Sequence, residues 1–333
     1  ADMGDRAHQS HPLEQTFWLQ LGNFTRSLGR IFCPIIRRVG NAFPPARSRC
    51  SLERSQGIGM TYFGFLLWFL IIPIILLLGV AFLDRRRGLH LPQSMRAWPA
   101  SVAILLHSLI ALLYTTLWDN YLVANNVWWY DPALVNGFTI GYVPIEEYTF
   151  FVLQPILAGL WLIFLLRRLP IASLSKPRPS IRWIMLAGSA ILWVPSLAIL
   201  FSGWAPGTYL ALILAWALPP IALQFAFGAD ILWQHRRLVT LAIIPVTLFL
   251  SLADVVAIGF WGIWTIDPQQ SLHILLGGIL PIEEFIFFLM TNTLLVFGVT
   301  LVLAQESHAR FSHIRSWLQR NLSSSRNLNE QTK

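Results

Sequence analysis

The chain has 333 residues, of which 55% are hydrophobic and only 12% charged, with a formal charge of +8. A soluble domain carries about 25% charged residues, so half that share points to a membrane protein. The excess positive charge lies between apolar runs and at both ends, not on a basic face interleaved with aromatics, which excludes a nucleic-acid-binding module. Cys33 and Cys50 both precede the first apolar run, so no disulfide framework holds the body together.

A bilayer core takes roughly 20 apolar residues in a helix. Seven stretches meet that length, and the expected fold is all-α and polytopic. The first two, Thr61 to Leu83 and Trp98 to Trp118, carry no charge. Pro144 to Leu166 contains only Glu146 and Glu147, and Trp183 to Phe201 and Tyr209 to Gly228 follow. Leu238 to Trp264 contains only Asp254, and Leu275 to Leu303 only Glu283 and Glu284. Arg85 to Arg87, Arg167, Arg168, Arg236, Arg237 and Arg310 fall on one side, while the loops on the other side have no Lys or Arg. The positive-inside rule makes the Arg-bearing side, and with it the C-terminus, cytoplasmic.

Residues 1–59 are Arg-rich, contain no transmembrane run and end just before Met60. They read as a basic N-terminal extension ahead of a start at Met60; a targeting or interfacial basic segment is the alternative, since Phe17 to Val39 mixes aromatics with Arg.

An internal repeat organises the rest. Thr61, Tyr62 and Pro73 match Thr208, Tyr209 and Pro220, each 147 positions on. Asp119 matches Asp254, and Trp129-Tyr130-Asp131-Pro132 resembles Thr265-Ile266-Asp267-Pro268 with Trp264 just ahead of it. Pro144-Ile145-Glu146-Glu147-Tyr148 matches Pro281-Ile282-Glu283-Glu284-Phe285. The expected organisation is a repeat over 60–166, a linker with one transmembrane helix over 167–207, a second repeat over 208–303 and a basic tail over 304–333. Three spans per unit plus one linking span make the two copies parallel, with both acidic motifs opening on the same side.

An ionised carboxylate in hydrocarbon costs about 2.5–3.5 kcal/mol on insertion scales. Asp119, Glu146, Glu147, Asp254, Glu283 and Glu284 lie in or beside spans with nothing basic at comparable depth. Such groups must be protonated, hydrogen-bonded to one another or bound to a cation. Adjacent Glu residues on a 3.6-residue turn lie about 100° apart, so one of each pair can face a cavity while the other faces a supporting partner. That arrangement suits one acid kept with its proton and one base kept ionised. Helix capping at the interface explains one such motif; the same string twice in register does not reduce to capping.

Aromatics crowd the motifs: Tyr148, Phe150, Phe151, Phe285, Phe287 and Phe288, with Trp118, Trp128, Trp129, Tyr130, Trp261 and Trp264 on the approach. They can form an interfacial belt, and ring faces beside an acid can also stabilise a cation. Asp131 and Asp267 stand by as supporting acids with Asp119 and Asp254. His107 and His273 are isolated and read as packing or hydrogen-bonding residues, so no metal is expected. Asn120, Gln154 and Asn292 are expected hydrogen-bond partners. No dinucleotide fingerprint and no Asp-rich diphosphate motif appear, and the last span has no lysine for a Schiff base.

GYVPIEEYTFFVL and GGILPIEEFIFFLMTN together resemble the paired signature of the integral-membrane lycopene cyclases, over roughly residues 60–303. The resemblance implies a non-redox isomerase of carotenoid biosynthesis that closes β-rings at the ends of lycopene. It makes Glu146, Glu147, Glu283 and Glu284 the functional acids, with Trp129, Tyr148, Phe151, Trp264, Phe285 and Phe288 as cation-stabilising rings. It implies lipid-dissolved lycopene as substrate, no cofactor, and membrane lipid, further copies of the chain or other enzymes of the pathway as partners. Residues 1–59 depart from the pattern. A carotenoid hydratase using the same carbocation, a proton-coupled transporter and a carotenoid-binding scaffold are the alternatives.

Overall fold

The computed structural model describes residues 60–171 and 177–312. The N-terminal extension over 1–59, part of the linker and the tail beyond residue 312 lie outside them. Seven helices are long and apolar enough to cross a membrane. They are α1 (Tyr62–Arg86), α2 (Ala100–Ala124), α3 (Ile145–Leu166), α4 (Pro179–Ser202), α5 (Thr208–Gln234), α6 (Arg236–Val256) and α7 (Ile282–Leu303). The fold is that of an all-α polytopic integral membrane protein.

Local chemistry sets several of the ends. The Thr61 hydroxyl accepts from Gly64 N at 3.2 Å and caps α1. Within α1 a π-helical turn, Leu67–Ile71, directly precedes Pro73, which lacks the N–H that would continue the ladder. A second π turn, Ala257–Trp261, extends α6, and Gly262 ends it at φ +63°.

Six short strands lie in the connections α2–α3 and α6–α7. They are β1 (Trp128–Tyr130), β2 (Thr139–Ile140), β3 (Val143–Pro144), β4 (Trp264–Ile266), β5 (Leu275–Leu276) and β6 (Leu280–Pro281). β2–β3 and β5–β6 are hairpins that deliver the chain into α3 and α7. β1 and β4 pair antiparallel, Trp128 with Ile266, Trp129 with Thr265 and Tyr130 with Trp264, and tie the two connections together.

The fifth span, expected to end at Gly228, runs to Gln234, and the sixth, expected to reach Trp264, ends by Trp261 with Trp264 in strand β4; three further differences bear on the site. The last span begins at Ile282 and not at Leu275, because Leu275 to Pro281 turn back as a hairpin through Gly277 and Gly278 at positive φ. The span expected to end at Trp118 runs on to Ala124, which places Asp119 inside helix α2. Pro144 and Pro281 sit at the N-caps, ending strands, and not in the first helical turn.

α3 and α7 are the central pair: 61% and 56% of their apolar windows are buried, against 17% for α1 and 11% for α4. Gln154 Nε2 on α3 donates to Asn292 Oδ1 on α7 at 2.7 Å, and Asn292 Nδ2 donates to Thr247 Oγ1 on α6 at 3.1 Å. In a membrane such bonds satisfy groups that lipid cannot.

At the end of the bundle remote from the strands, Asp84 of α1 takes Arg168 Nη2 at 2.8 Å and Arg167 Nη1 at 3.4 Å. Asp230 of α5 takes Arg310 Nη2 at 2.7 Å. Each pair fastens the end of one helix to the chain that leaves another. All four ion pairs among the described residues involve these two aspartates, so no intramembrane acid of the strand-bearing end is neutralised by a cation.

Candidate active site

The paired glutamates divide their work. Ile145 and Ile282 start their helices directly after a hairpin, so both acids of each pair fall in the first turn. The first acid of each pair holds a connection: Glu146 Oε1 accepts from Asn136 N at 2.6 Å, and Glu283 Oε1 accepts from Leu272 N at 2.7 Å. Neither lines the central cavity. About 100° around each helix, Glu147 and Glu284 turn into that cavity.

Tyrosines from the first helix of each half hold these two carboxylates. Tyr62 donates to Glu147 Oε2 at 2.5 Å, and Tyr209 donates to Glu284 Oε1 at 2.6 Å. Glu147 has a second donor, Tyr130 of β1, at 3.1 Å. Glu284 has no second phenol among the described residues, because Ile266 occupies the place on β4 that Tyr130 holds on β1; its other hydrogen-bond partner is Asp254. Burial, then the carboxylates of Asp119 and Glu147, hold the Tyr130 phenol well above its usual range, so it remains an O–H donor.

Asp119 and Asp254 complete an acidic cluster. Both are buried; Asp119 has no hydrogen-bond partner for either carboxylate oxygen among the described residues, whereas Asp254 reaches Trp264 and Glu284. Asp119 interacts electrostatically with Glu147 and Glu284, and Asp254 does so with Glu284 and Glu147. The four acids thus share one buried site.

The cavity measures about 40 Å³, and rings form most of its wall. Tyr62 lies 5.0 Å from Trp264, and Trp128 lies 5.3 Å edge-on to Tyr209. Phe150 approaches Phe288 at 6.4 Å across the α3–α7 seam. A cation formed here would have ring faces around it and carboxylates beside it. Among the described residues no group of His, Cys, Asp or Glu could hold a metal ion.

Of the rings named from sequence, Trp128, Tyr130, Phe150, Phe151, Trp264, Phe287 and Phe288 line the cavity. Trp129 does not; it is 43% exposed, and its strand neighbour Trp128 points inward instead. Tyr148 lies outside the wall, donating to Ile140 O at 2.7 Å and accepting from Asn120 Nδ2 at 2.8 Å, which braces the hairpin. Phe285 is half-buried and also outside the wall. Asp131 and Asp267 form local turns, accepting from Ala133 N and Gln269 N, each at 2.9 Å, and take no part in the cavity. The sequence marks Tyr62 and Tyr209 only by their recurrence 147 positions apart, not as site residues.

A lycopene beta-cyclase of Halobacterium salinarum is 44% identical over 206 residues, covering 62% of this chain and 83% of that protein. The bifunctional lycopene cyclase/phytoene synthase of Podospora anserina is 37% identical over 201 residues, 58% of this chain and 33% of that protein. The protein of that name from Blakeslea trispora is 32% identical over 203 residues, 58% of this chain and 32% of that protein. The chain therefore spans about a third of these fungal relatives. No family model matches it, and neither does any solved structure. A membrane helical bundle with a ring-walled acidic site is the class that the fold defines. The chain belongs to the lycopene cyclase family.

Proposed function

We propose that this lycopene cyclase closes β-rings on its substrate with Glu284 as the acid and Glu147 as the base, in a single cavity shared by two parallel repeats, 60–166 and 208–303. The observation that carries the assignment is the unequal donor count: two phenols on Glu147, one on Glu284. Hydrogen bonds to a carboxylate favour its ionised form, so Glu147 is the better-held anion. Glu284, with one phenol fewer, is assigned the proton.

Glu284 delivers its proton to the terminal C1–C2 double bond of lycopene. The C5–C6 double bond attacks the resulting cation at C1, closing the ring and moving the charge to C5. Glu147 then removes the proton from C6, and a ring double bond forms. Nothing is oxidised or reduced, and no proton is consumed. The proton taken by Glu147 must return to Glu284, and Asp119, which interacts with both, is placed to relay it. The wall of Trp128, Trp264, Phe150, Phe151, Phe287 and Phe288 supports the charge and excludes water that would trap it.

Glu146 and Glu283 act as positioning residues that fix the connections over the site. The end of the bundle bearing Arg85, Arg167 and Arg310 faces the cytoplasm by the distribution of positive charge, which places the acidic site toward the opposite surface. The substrate comes from the lipid phase, and membrane lipid is the surrounding partner.

The test is expression of residues 60–333 in a lycopene-accumulating bacterium, with chromatography and mass of the pigments. A cyclised product of unchanged mass, lost in Glu284→Gln and Glu147→Gln, is the expected result. A product heavier by one water would move the reading to a hydratase. Unchanged lycopene with the protein present in the membrane would overturn it.

A further inference from the structure

Two grooves run along the bundle at corresponding places. One lies between α2, α3, α5 and α7, measures about 190 Å³ and includes Ala111, Tyr114, Pro220, Leu294 and Thr291. The other lies between α1, α3 and α6, measures about 340 Å³ and includes Pro73, Leu157, Val246 and Phe249. Pro220 answers to Pro73, Ala111 to Val246, Tyr114 to Phe249 and Leu294 to Leu157 at the repeat spacings. They differ in what they reach. Phe150, Phe151 and Phe287 form walls of both the acidic cavity and the α2–α5 groove, whereas the α1–α6 groove shares no wall residue with the cavity.

We infer that the α2–α5 groove is the tract that receives the polyene chain of the carotenoid while its end group reacts, and that the α1–α6 groove, though larger, is not. This rests on the cyclase reading. The acidic cavity, at about 40 Å³, has room for only a few waters, so the conjugated chain must lie elsewhere. The adjoining groove is the space that continues from it, and it runs in the right direction. From Asp119, at the cavity, to His107, at the groove's far end, α2 advances twelve residues, about 18 Å.

The walls suit a flat hydrocarbon. Trp216 stacks on Tyr114 at 5.5 Å and on Trp118 at 4.7 Å, and Trp118 stacks on Phe287 at 5.7 Å. These rings form a continuous face from groove to cavity, against which a planar polyene can lie. Most of the polar atoms along the way are already engaged: the Tyr114 hydroxyl donates to Trp216 O at 2.8 Å, Gln154 to Asn292 at 2.7 Å and Gln224 Nε2 to Leu294 O at 2.9 Å. A hydrocarbon therefore displaces few hydrogen bonds on entering. The shared rings of Phe150 and Phe287 set how wide the passage is.

Filling each groove separately tests the assignment. Ala111→Phe and, from the opposite wall, Thr291→Phe obstruct the α2–α5 groove; Val246→Phe obstructs the other at the position corresponding to Ala111. Each variant of the full chain is produced in lycopene-accumulating cells, its folded amount in the membrane is measured by detergent gel filtration, and pigment formed is expressed per folded protein. The expected result is at least a tenfold loss per folded protein in Ala111→Phe and Thr291→Phe, with Val246→Phe within twofold of the parent. Thr291→Val, which adds no bulk, separates obstruction from loss of the hydroxyl: its loss should be far smaller than that of Thr291→Phe, and an equal loss would overturn the tract. Equal activity in all variants, or loss confined to Val246→Phe, would overturn the tract while leaving the cyclase reading intact. A parent chain that forms no cyclised pigment would overturn both.

Discussion

Tyr62 and Glu147 stand 85 residues apart in the chain, yet the phenol of one is 2.5 Å from the carboxylate of the other. The bond joins the first turn of α1 to the first turn of α3, and Tyr209 joins α5 to α7 through Glu284 in the same way. Tyr130 adds a third phenol on one side only. Much of what the site can do follows from how these three hydroxyls are shared.

Removing the acids should separate the members of each pair. Glu147→Gln and Glu284→Gln are expected to lower cyclisation by about 10²–10⁴-fold, the range for loss of an acid or base in proton transfer. Glu146→Gln and Glu283→Gln keep one amide oxygen that can still accept from Asn136 N or Leu272 N, so most of their loss should appear as folded yield. Pigment per folded protein measures both. Equal losses across all four would refute the division of roles.

Each phenol can be tested by deleting one oxygen. Tyr62→Phe and Tyr209→Phe remove a hydrogen bond to a charged or reacting carboxyl, worth about 1.5–3 kcal/mol, or roughly 10- to 150-fold in rate. Tyr130→Phe affects only Glu147, which still keeps Tyr62, so the loss should be smaller. Its more telling effect is on the pH–rate profile, where the limb belonging to the base should move to higher pH. A profile identical to that of the parent would count against Glu147 as the base.

The aspartates at the other end should matter for stability and not for chemistry. Asp84→Asn leaves Arg167 and Arg168 without their carboxylate, and Asp230→Asn does the same for Arg310. Thermal unfolding in detergent should fall by several degrees for each, with cyclisation per folded molecule nearly unchanged. A selective loss of activity at full stability would show that these ion pairs do more than fasten helices.

His235, buried in the turn between α5 and α6, gives stability a pH dependence. Burial depresses its proton affinity in the folded state, with the Glu306 carboxylate partly opposing. The unfolded chain therefore binds the proton more readily than the folded one, so stability is lost as pH falls below about 6.5, the ordinary histidine value. His235→Gln should flatten the fall in melting temperature between roughly pH 6.5 and 5. An unchanged slope would assign the effect to other groups.

Hydropathy located all seven helices, because length and apolarity suffice for a span. It failed where apolar residues are not helical: Leu275 to Pro281 are as hydrophobic as a helix start, but Gly277 and Gly278 bend them into a hairpin. Short apolar runs do not separate the two states by pattern alone. The glutamates were legible since 100° per residue dictates that neighbours diverge, whereas which one turns inward depends on the register of α3 against its neighbours. The tyrosines were visible only as repeats, and nothing local says that a residue 85 positions away will meet an acid. Asp84 and Asp230 passed unremarked among loop charges, because pairing across the bundle leaves no mark on sequence spacing.

The β1–β4 ladder binds the two strand-bearing connections to each other, residue against residue. Its consequence concerns traffic. Two connections pinned together cannot part independently, so the surface above the acids behaves as one closed roof, and a hydrocarbon passes more readily through the walls between helices. For the proposed carotenoid substrate, arrival and departure would then both be lateral. On the cyclase proposal, a substrate and a product that are almost insoluble in water would exchange within the bilayer.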